Sequence, residues 1–315
     1  MTGVAGLIGS RLAHRLVDNG VSVRGMDVVP PAAARVTFIP RDLREPRGLS
    51  AALAGARAVI HCARWAGIPP SRAAAEAVEV EGTANLLAAC LDAGVERVVC
   101  MSSVAVYGPT RTPLITEDTP RRPADFYGRI KRRVEEAAAG AGARGLAVTV
   151  VRAGLVYGPR ATGGTVHPVR RILAGRPVLA SGGRGYAHPV YIDNLIDAVL
   201  AASSAADAVG QAINVVDGDV TWREFFGHYA RMCRRPLRSA PAAAVWLVGL
   251  ASEMAAALLR RPLPAARSLA HFTTRRTRVS TVRAREILGW APRYSLAEAM
   301  AETERWLRDA RIVPD

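Results

Sequence analysis

Thr2-Gly3-Val4-Ala5-Gly6-Leu7-Ile8-Gly9 opens the chain and leads straight into a helical run, Ser10 to Asn19. Glycines at this spacing let a backbone turn approach a pyrophosphate closely. The helix that follows supplies free N–H groups and the positive end of its dipole. Gly3, Gly6, Leu7, Ile8 and Gly9 are therefore the predicted contacts of a dinucleotide. The motif gains weight from Asp27, 18 residues beyond Gly9 at the end of the next strand-like run. A carboxylate there can hold the adenosine ribose hydroxyls and repel a 2′-phosphate, which predicts NAD over NADP.

Outward from that turn the chain alternates short β-branched runs with alanine-rich helical stretches as far as Gly158. VSVRGMD (Val21 to Asp27), RVTFI (Arg35 to Ile39), AVIHCA (Ala58 to Ala63), RVVCMSS (Arg97 to Ser103) and AVTVVRA (Ala147 to Ala153) read as strands. The predicted fold class is α/β, a doubly wound parallel sheet of Rossmann type over 1–158. Beyond Pro159 glycine and proline punctuate the pattern, with strand-like YAHPVYI (Tyr186 to Ile192) and AINVV (Ala212 to Val216) among several helices. No linker separates the halves, so 159–315 is predicted to be a smaller α/β substrate lobe interwoven with the first. No strand precedes the glycine turn, although a doubly wound sheet places its central strand there. The expectation is a gap in the ladder beneath the cofactor and a true start lying upstream.

The predicted chemistry lies in Tyr127-Gly128-Arg129-Ile130-Lys131. On a helix, a four-residue spacing stacks the phenol and the ammonium on one face. A phenol is a poor base near neutrality, and a neighbouring cation favours its phenolate. Lys131 is the only lysine among 42 basic residues, the rest being arginine. With seven tyrosines in 315 residues, chance puts a lone lysine four residues after one about once in fifty. Lysine is a compact cation with three donors, whereas arginine is a planar fork of different reach. Ser103, 24 residues before Tyr127, ends a strand where its hydroxyl can hold a substrate oxygen. Alternation points Ser102 to the other face.

Taken together, TGVAGLIG, RDLRE (Arg41 to Glu45), VIHCA, VEGTANLL (Val80 to Leu87), SSVAVYG, YGRIK, VRAGLVYGP (Val151 to Pro159), VYIDNL (Val190 to Leu195) and LGWAPRYSL (Leu288 to Leu296) span nearly the whole chain. In order and spacing they resemble the extended short-chain dehydrogenases, the NAD-dependent epimerase/dehydratase family. The resemblance implies Ser103, Tyr127 and Lys131 as catalytic triad, Lys131 also on the cofactor, Asp42 and Leu43 beside the adenine, Ala63 along the cofactor, and a homodimer. Two positions near the expected nicotinamide end depart from the family: Arg64 stands where a small residue is usual, and Glu79 where asparagine is frequent. The dehydratases' Asp-Glu pair after the catalytic hydroxyl is replaced by Val104 and Ala105. The arginine that nucleotide-sugar enzymes carry before VYIDNL is absent from Gly185-Tyr186-Ala187-His188-Pro189.

The apolar stretch from Ala240 to Leu259, followed by Arg260-Arg261-Pro262-Leu263-Pro264, resembles the sterol and 3-hydroxysteroid dehydrogenase branch. It carries Glu253, so it is read as a helix buried in the fold or lying on a membrane, with peripheral contact through 240–261. The expected reaction is hydride transfer to or from a secondary alcohol or ketone of an apolar, sterol-like or polyketide-like molecule. Nucleotide-sugar epimerisation is the alternative, and a non-catalytic NAD-binding regulator a third. The net charge of +15 is dispersed without aromatic interleaving, which argues against nucleic acid and for attraction of anions. Cys62, Cys90, Cys100 and Cys233 form no CxxC pair, so they are read as reduced core thiols of a cytoplasmic protein, with no metal.

Overall fold

The computed structural model describes residues 1–32, 36–65, 71–259 and 275–314. The main sheet is parallel throughout. Its order is Thr37–Pro40, Arg24–Asp27, Thr2, Ala58–His61, Arg97–Ser103, Ala147–Ala153 and Ala212–Val215. Thr2 alone holds the central position, bridging Met26 on one side and His61 on the other. Its N–H donates to the Ile60 carbonyl at 3.0 Å, and its carbonyl accepts from Cys62 N–H at 3.2 Å. The two flanks of the sheet are thus stitched at one residue, where neighbouring strands run four to seven residues.

Several strands are shorter than their sequence suggests. VSVRGMD contributes only Arg24–Asp27, AVIHCA stops at His61, RVTFI shifts to Thr37–Pro40, and YAHPVYI narrows to Pro189–Tyr191. The first two flank the position that Thr2 fills, where little partner backbone is available to extend a ladder, and the third pairs with Arg24–Asp27 at the outer edge. Arg97–Ser103 and Ala147–Ala153, paired with each other along their full length, match the reading residue for residue.

Alternation along those two long strands feeds cores on both faces. Val98, Cys100, Val148 and Val150 pack with Leu86, Cys90 and Ala138 on one side. Val99, Met101, Val151 and Ala153 pack with Leu12, Leu195, Val199 and Phe225 on the other. This second core takes residues from both halves of the chain, and Ala212–Val215 joins the sheet itself, so the substrate lobe shares the first half's core. Fully buried Asn194 explains why VYIDNL and LGWAPRYSL travel together. Its side chain donates to Asp217 and to the Tyr294 carbonyl and accepts from the Arg293 and Tyr294 N–H groups. Trp290 donates to its carbonyl at 2.9 Å.

The apolar stretch forms a helix, Ala242–Leu259. Leu247, Val248 and Met254 on it are exposed, so among the described side chains it presents an apolar surface to solvent and is not a core helix. Among the described residues no helix is long and apolar enough to cross a membrane. Arg35 and the run from Arg260 to Pro264 lie outside the described residues. The four cysteines are free thiols. Burial pushes those of Cys62, Cys90 and Cys100 up to about 12, the wrong direction for a nucleophile.

Candidate active site

The glycine turn is built by exclusion. Gly3 has φ +70°, and a Cβ on it would lie 2.6 Å from the Ala63 nitrogen; one on Gly9 would lie 2.1 Å from the Gly3 carbonyl oxygen. These two glycines let the strand end and the helix close on each other. At Gly6 a Cβ would meet only that same oxygen, at 3.2 Å, so its outer side is open. Gly6 also caps the helix Leu7–Asp18 with no side chain on the first-turn N–H groups, which include those of Leu7 and Ile8. An open cradle at an uncapped helix N-terminus fits a pyrophosphate.

Asp27 reaches this turn. Its carboxylate accepts from Ala5 N–H at 3.0 Å and from Val28 N–H at 2.8 Å, tying the strand end to the glycine loop. Asp42 pairs with Arg44, whose guanidinium holds the carboxyl below the usual carboxylate range. The Leu43 side chain is buried in the core, and its carbonyl accepts from Asn85 at 2.9 Å. Ala63 lies against Gly3 beside the cradle.

Tyr127 sits in the first turn of the helix Phe126–Ala143, capped by Asp125 accepting from Gly128 N–H at 2.7 Å. The residue is 41% exposed. One turn on, Lys131 is buried, with Nζ 5.8 Å from the Tyr127 ring centroid. Ser103 ends its strand and accepts from Ala105 N–H, starting the turn Val104–Tyr107 against which the Tyr127 helix packs. Gly128 permits that approach, because a Cβ there would lie 2.6 Å from the Ala105 carbonyl oxygen. Ser102 faces away, as alternation predicts, and donates to Glu135 at 2.6 Å.

Glu79 completes the site in a way its sequence position only hinted at. Its carboxylate pairs with Lys131 Nζ at 2.9 Å and accepts from Trp65 N–H at 3.2 Å, with both ionic side chains buried. Burial opposes charge on Lys131, but the Glu79 carboxylate and the Tyr127 oxygen outweigh it, and the ammonium is held above its ordinary value. Glu79 is placed by a short helix of wide pitch, Glu76–Glu81. Its carbonyl accepts from Thr83 Oγ1, which also meets His61 Nε2 at 2.8 Å, and His61 Nδ1 meets Thr2 Oγ1 at 2.7 Å. Burial first, then Lys131, keeps this imidazole neutral, lowering it to about 3.

The arrangement is thus a dinucleotide cradle with a tyrosine and a paired lysine at the same carboxyl edge of the sheet. Over residues 1–216 the chain matches the model of the NAD dependent epimerase/dehydratase family. It belongs to that family. It is accordingly an enzyme, and NAD is its cofactor. Its similarity to a UDP-glucose 4-epimerase of Mycolicibacterium smegmatis is 30% identity over 98% of each chain. A 3-diazoavenalumate denitrifying reductase of Streptomyces is likewise 30% identical over 93% of this chain and 95% of that protein. Among solved structures, MoeE5 in complex with UDP-glucose and NAD superposes with a TM-score of 0.78 at 27% identity, covering 98% of both chains.

Proposed function

We propose that this family member transfers a hydride between NAD and a secondary alcohol or ketone, with Tyr127 as acid/base, Lys131 as its cationic neighbour and Ser103 as the group that orients the substrate oxygen. The supporting observation is the only lysine of the chain, buried beneath the tyrosine and paired with Glu79. Bound NAD supplies the hydride acceptor or donor. Tyr127 moves the hydroxyl proton, and its exposed position suits contact with a substrate. Lys131 has three donors; one faces Glu79, another points to the Met101 carbonyl at 3.5 Å, and the third remains for a ribose hydroxyl. Ser103 fixes the oxygen between the two transfers. Gly6, Leu7, Ile8 and Asp27 would hold the dinucleotide, and Gly3, Gly9 and Ala63 shape its cradle.

We place the substrate among apolar molecules that undergo net oxidation or reduction. The exposed apolar side chains of the Ala242–Leu259 helix, the lack of arginine from Gly185 to Pro189 and the likeness to a reductase over nearly full length support this reading. The equally long likeness to a UDP-glucose 4-epimerase favours a second reading, in which the hydride returns to the same carbon. A panel of 3-hydroxysteroids, UDP-sugars and dTDP-sugars followed by NADH absorbance separates the two. Net absorbance change with an alcohol carries the first, and isomerisation without net change carries the second. Tyr127→Phe should abolish turnover and leave NAD binding intact; an active variant would remove Tyr127 from the mechanism.

A further inference from the structure

Glu79 stands where the family frequently has an amide, and Arg64 where a small residue is usual. The two departures carry opposite charges, and the fold brings both to Lys131. Glu79 Oε2 lies 2.9 Å from Lys131 Nζ, while Arg64, itself exposed, is near enough for its charge to lower the lysine. Glu79 is held at side chain and backbone alike. Its Oε1 accepts from Trp65 N–H at 3.2 Å, and its carbonyl accepts from Thr83 Oγ1. Because Thr83 donates its one hydroxyl hydrogen there, it accepts from His61 Nε2–H at 2.8 Å, which leaves His61 Nδ1 to accept from Thr2 Oγ1 at 2.7 Å.

The other carboxylates on the helices that meet at Lys131 are already committed or face solvent. Glu135, one turn further along, serves Arg152, Arg121 and Ser102. Glu136 pairs with Arg132 at 3.2 Å and Glu76 with Arg133 at 3.4 Å, both at the surface, and Glu81 is exposed. The titratable groups that feel Lys131 from the neighbouring strands are His61, Cys62 and Cys100. Burial lowers the imidazole to about 3 and raises both thiols to about 12, so all three stay uncharged. A lysine only 6% exposed, with a guanidinium nearby, gives up its proton readily unless an anion holds it.

We propose that Glu79 is the counter-ion of the site, a positioning residue that acts through Lys131: its carboxylate keeps the ammonium charged against burial and Arg64, so that the donor left for a ribose hydroxyl is a charged one. This deepens the hydride-transfer reading and rests on it for the place of Lys131 on NAD. A charged donor makes the stronger hydrogen bond. Glu79 therefore sets how far into alkali the lysine still serves the cofactor.

The only lysine of the chain makes the test direct. Full-length protein grown on lysine carrying carbon-13 at Cε gives one lysine resonance, and its shift with pH titrates this amine alone. In the native protein Lys131 should remain mostly charged at pH 10.5, the ordinary midpoint of a lysine. Glu79→Gln keeps an acceptor for Trp65 N–H but not the charge, and its lysine should pass its midpoint below that pH. Glu79→Asp should move the midpoint back up, and adding Arg64→Ala to Glu79→Gln should recover part of the loss. Fluorescence titration with NAD gives a second reading: native affinity divided by that of Glu79→Gln should grow about threefold or more between about pH 7 and about pH 10. Should Glu79→Gln fail to fold, Glu79→Asn reads the same two quantities. A lysine that titrates alike in the native protein and the amide variant, a native midpoint below 10.5, no recovery with Arg64→Ala, or a constant affinity ratio would each overturn the proposal. Neither measurement needs turnover, so failure of the catalytic reading shows in the activity of Tyr127→Phe and failure of this one in the lysine resonance.

Discussion

Among the described residues two arginines are buried, and they are treated in opposite ways. In the first half Arg152 is enclosed by acceptors: Glu135 in two-point contact, Tyr107 Oη at 2.6 Å and the Glu117 carbonyl at 3.0 Å. Arg121 and Ser102 add bonds to the same Glu135. In the second half Arg275 has the burial without the acceptors. Burial drives the Arg275 guanidinium down to about 10, with only the Tyr107 oxygen resisting. Arg152 is carried above its ordinary value, because Glu135 and Tyr107 outweigh the same desolvation. A satisfied buried ion fixes structure, here the helix carrying Tyr127 and Lys131 upon its sheet. An unsatisfied one is a standing cost that the rest of the fold must offset.

The contrast breaks most visibly if the satisfied network is opened. Glu135→Ala leaves Arg152 buried without its carboxylate and should cost about 3–5 kcal/mol in urea unfolding; a loss under about 1 kcal/mol would make Arg152 no better served than Arg275. Next comes acid. Burial, helped by Arg275, lowers His188 from its ordinary 6.5 to about 4. A depressed group adds stability above its unfolded value and loses it as pH falls through the folded one. Between about pH 6.5 and pH 4 the fold should lose on the order of 3 kcal/mol from this residue. Arg275→Gln should shrink that loss, which melting curves across the range would show; an unchanged acid limb would separate the two residues. Gly128→Ala drives a Cβ toward the Ala105 carbonyl and should cost about 1–3 kcal/mol, with kcat falling more than NAD affinity. The smallest effect is expected from Asp27→Asn, which keeps an acceptor for Ala5 N–H and should weaken NAD about tenfold or less while narrowing the preference over NADP. Fluorescence titration with both cofactors measures it.

What the sequence showed and what it hid divide along the same line. The glycine turn, Asp27, Ser103, Tyr127 and Lys131 were legible because each lies at a fixed offset from a strand end or helix start, where backbone geometry sets side-chain direction. Ser102 and Ser103 were told apart by strand alternation alone. Two of the strands that came out short, Arg24–Asp27 and Ala58–His61, flank the one position where the pairing partner is a single residue, Thr2, and propensity does not report a missing neighbour. Glu79 stood out as unusual, but its meeting with Lys131 depends on a six-residue helix of wide pitch, which has no reliable sequence signature. Arg275 was invisible among 41 arginines, since only tertiary packing distinguishes an arginine with a partner from one without.

The pairing of the unique lysine with Glu79 has a practical corollary. An endoproteinase that cuts only after lysine has one bond to cut in this chain, between Lys131 and Arg132, inside the helix that presents Tyr127. Cleavage must wait until that helix unwinds and the ion pair parts. The appearance of two fragments then clocks the opening of one small region, and the slowing of that clock by NAD measures how firmly the cofactor fastens it.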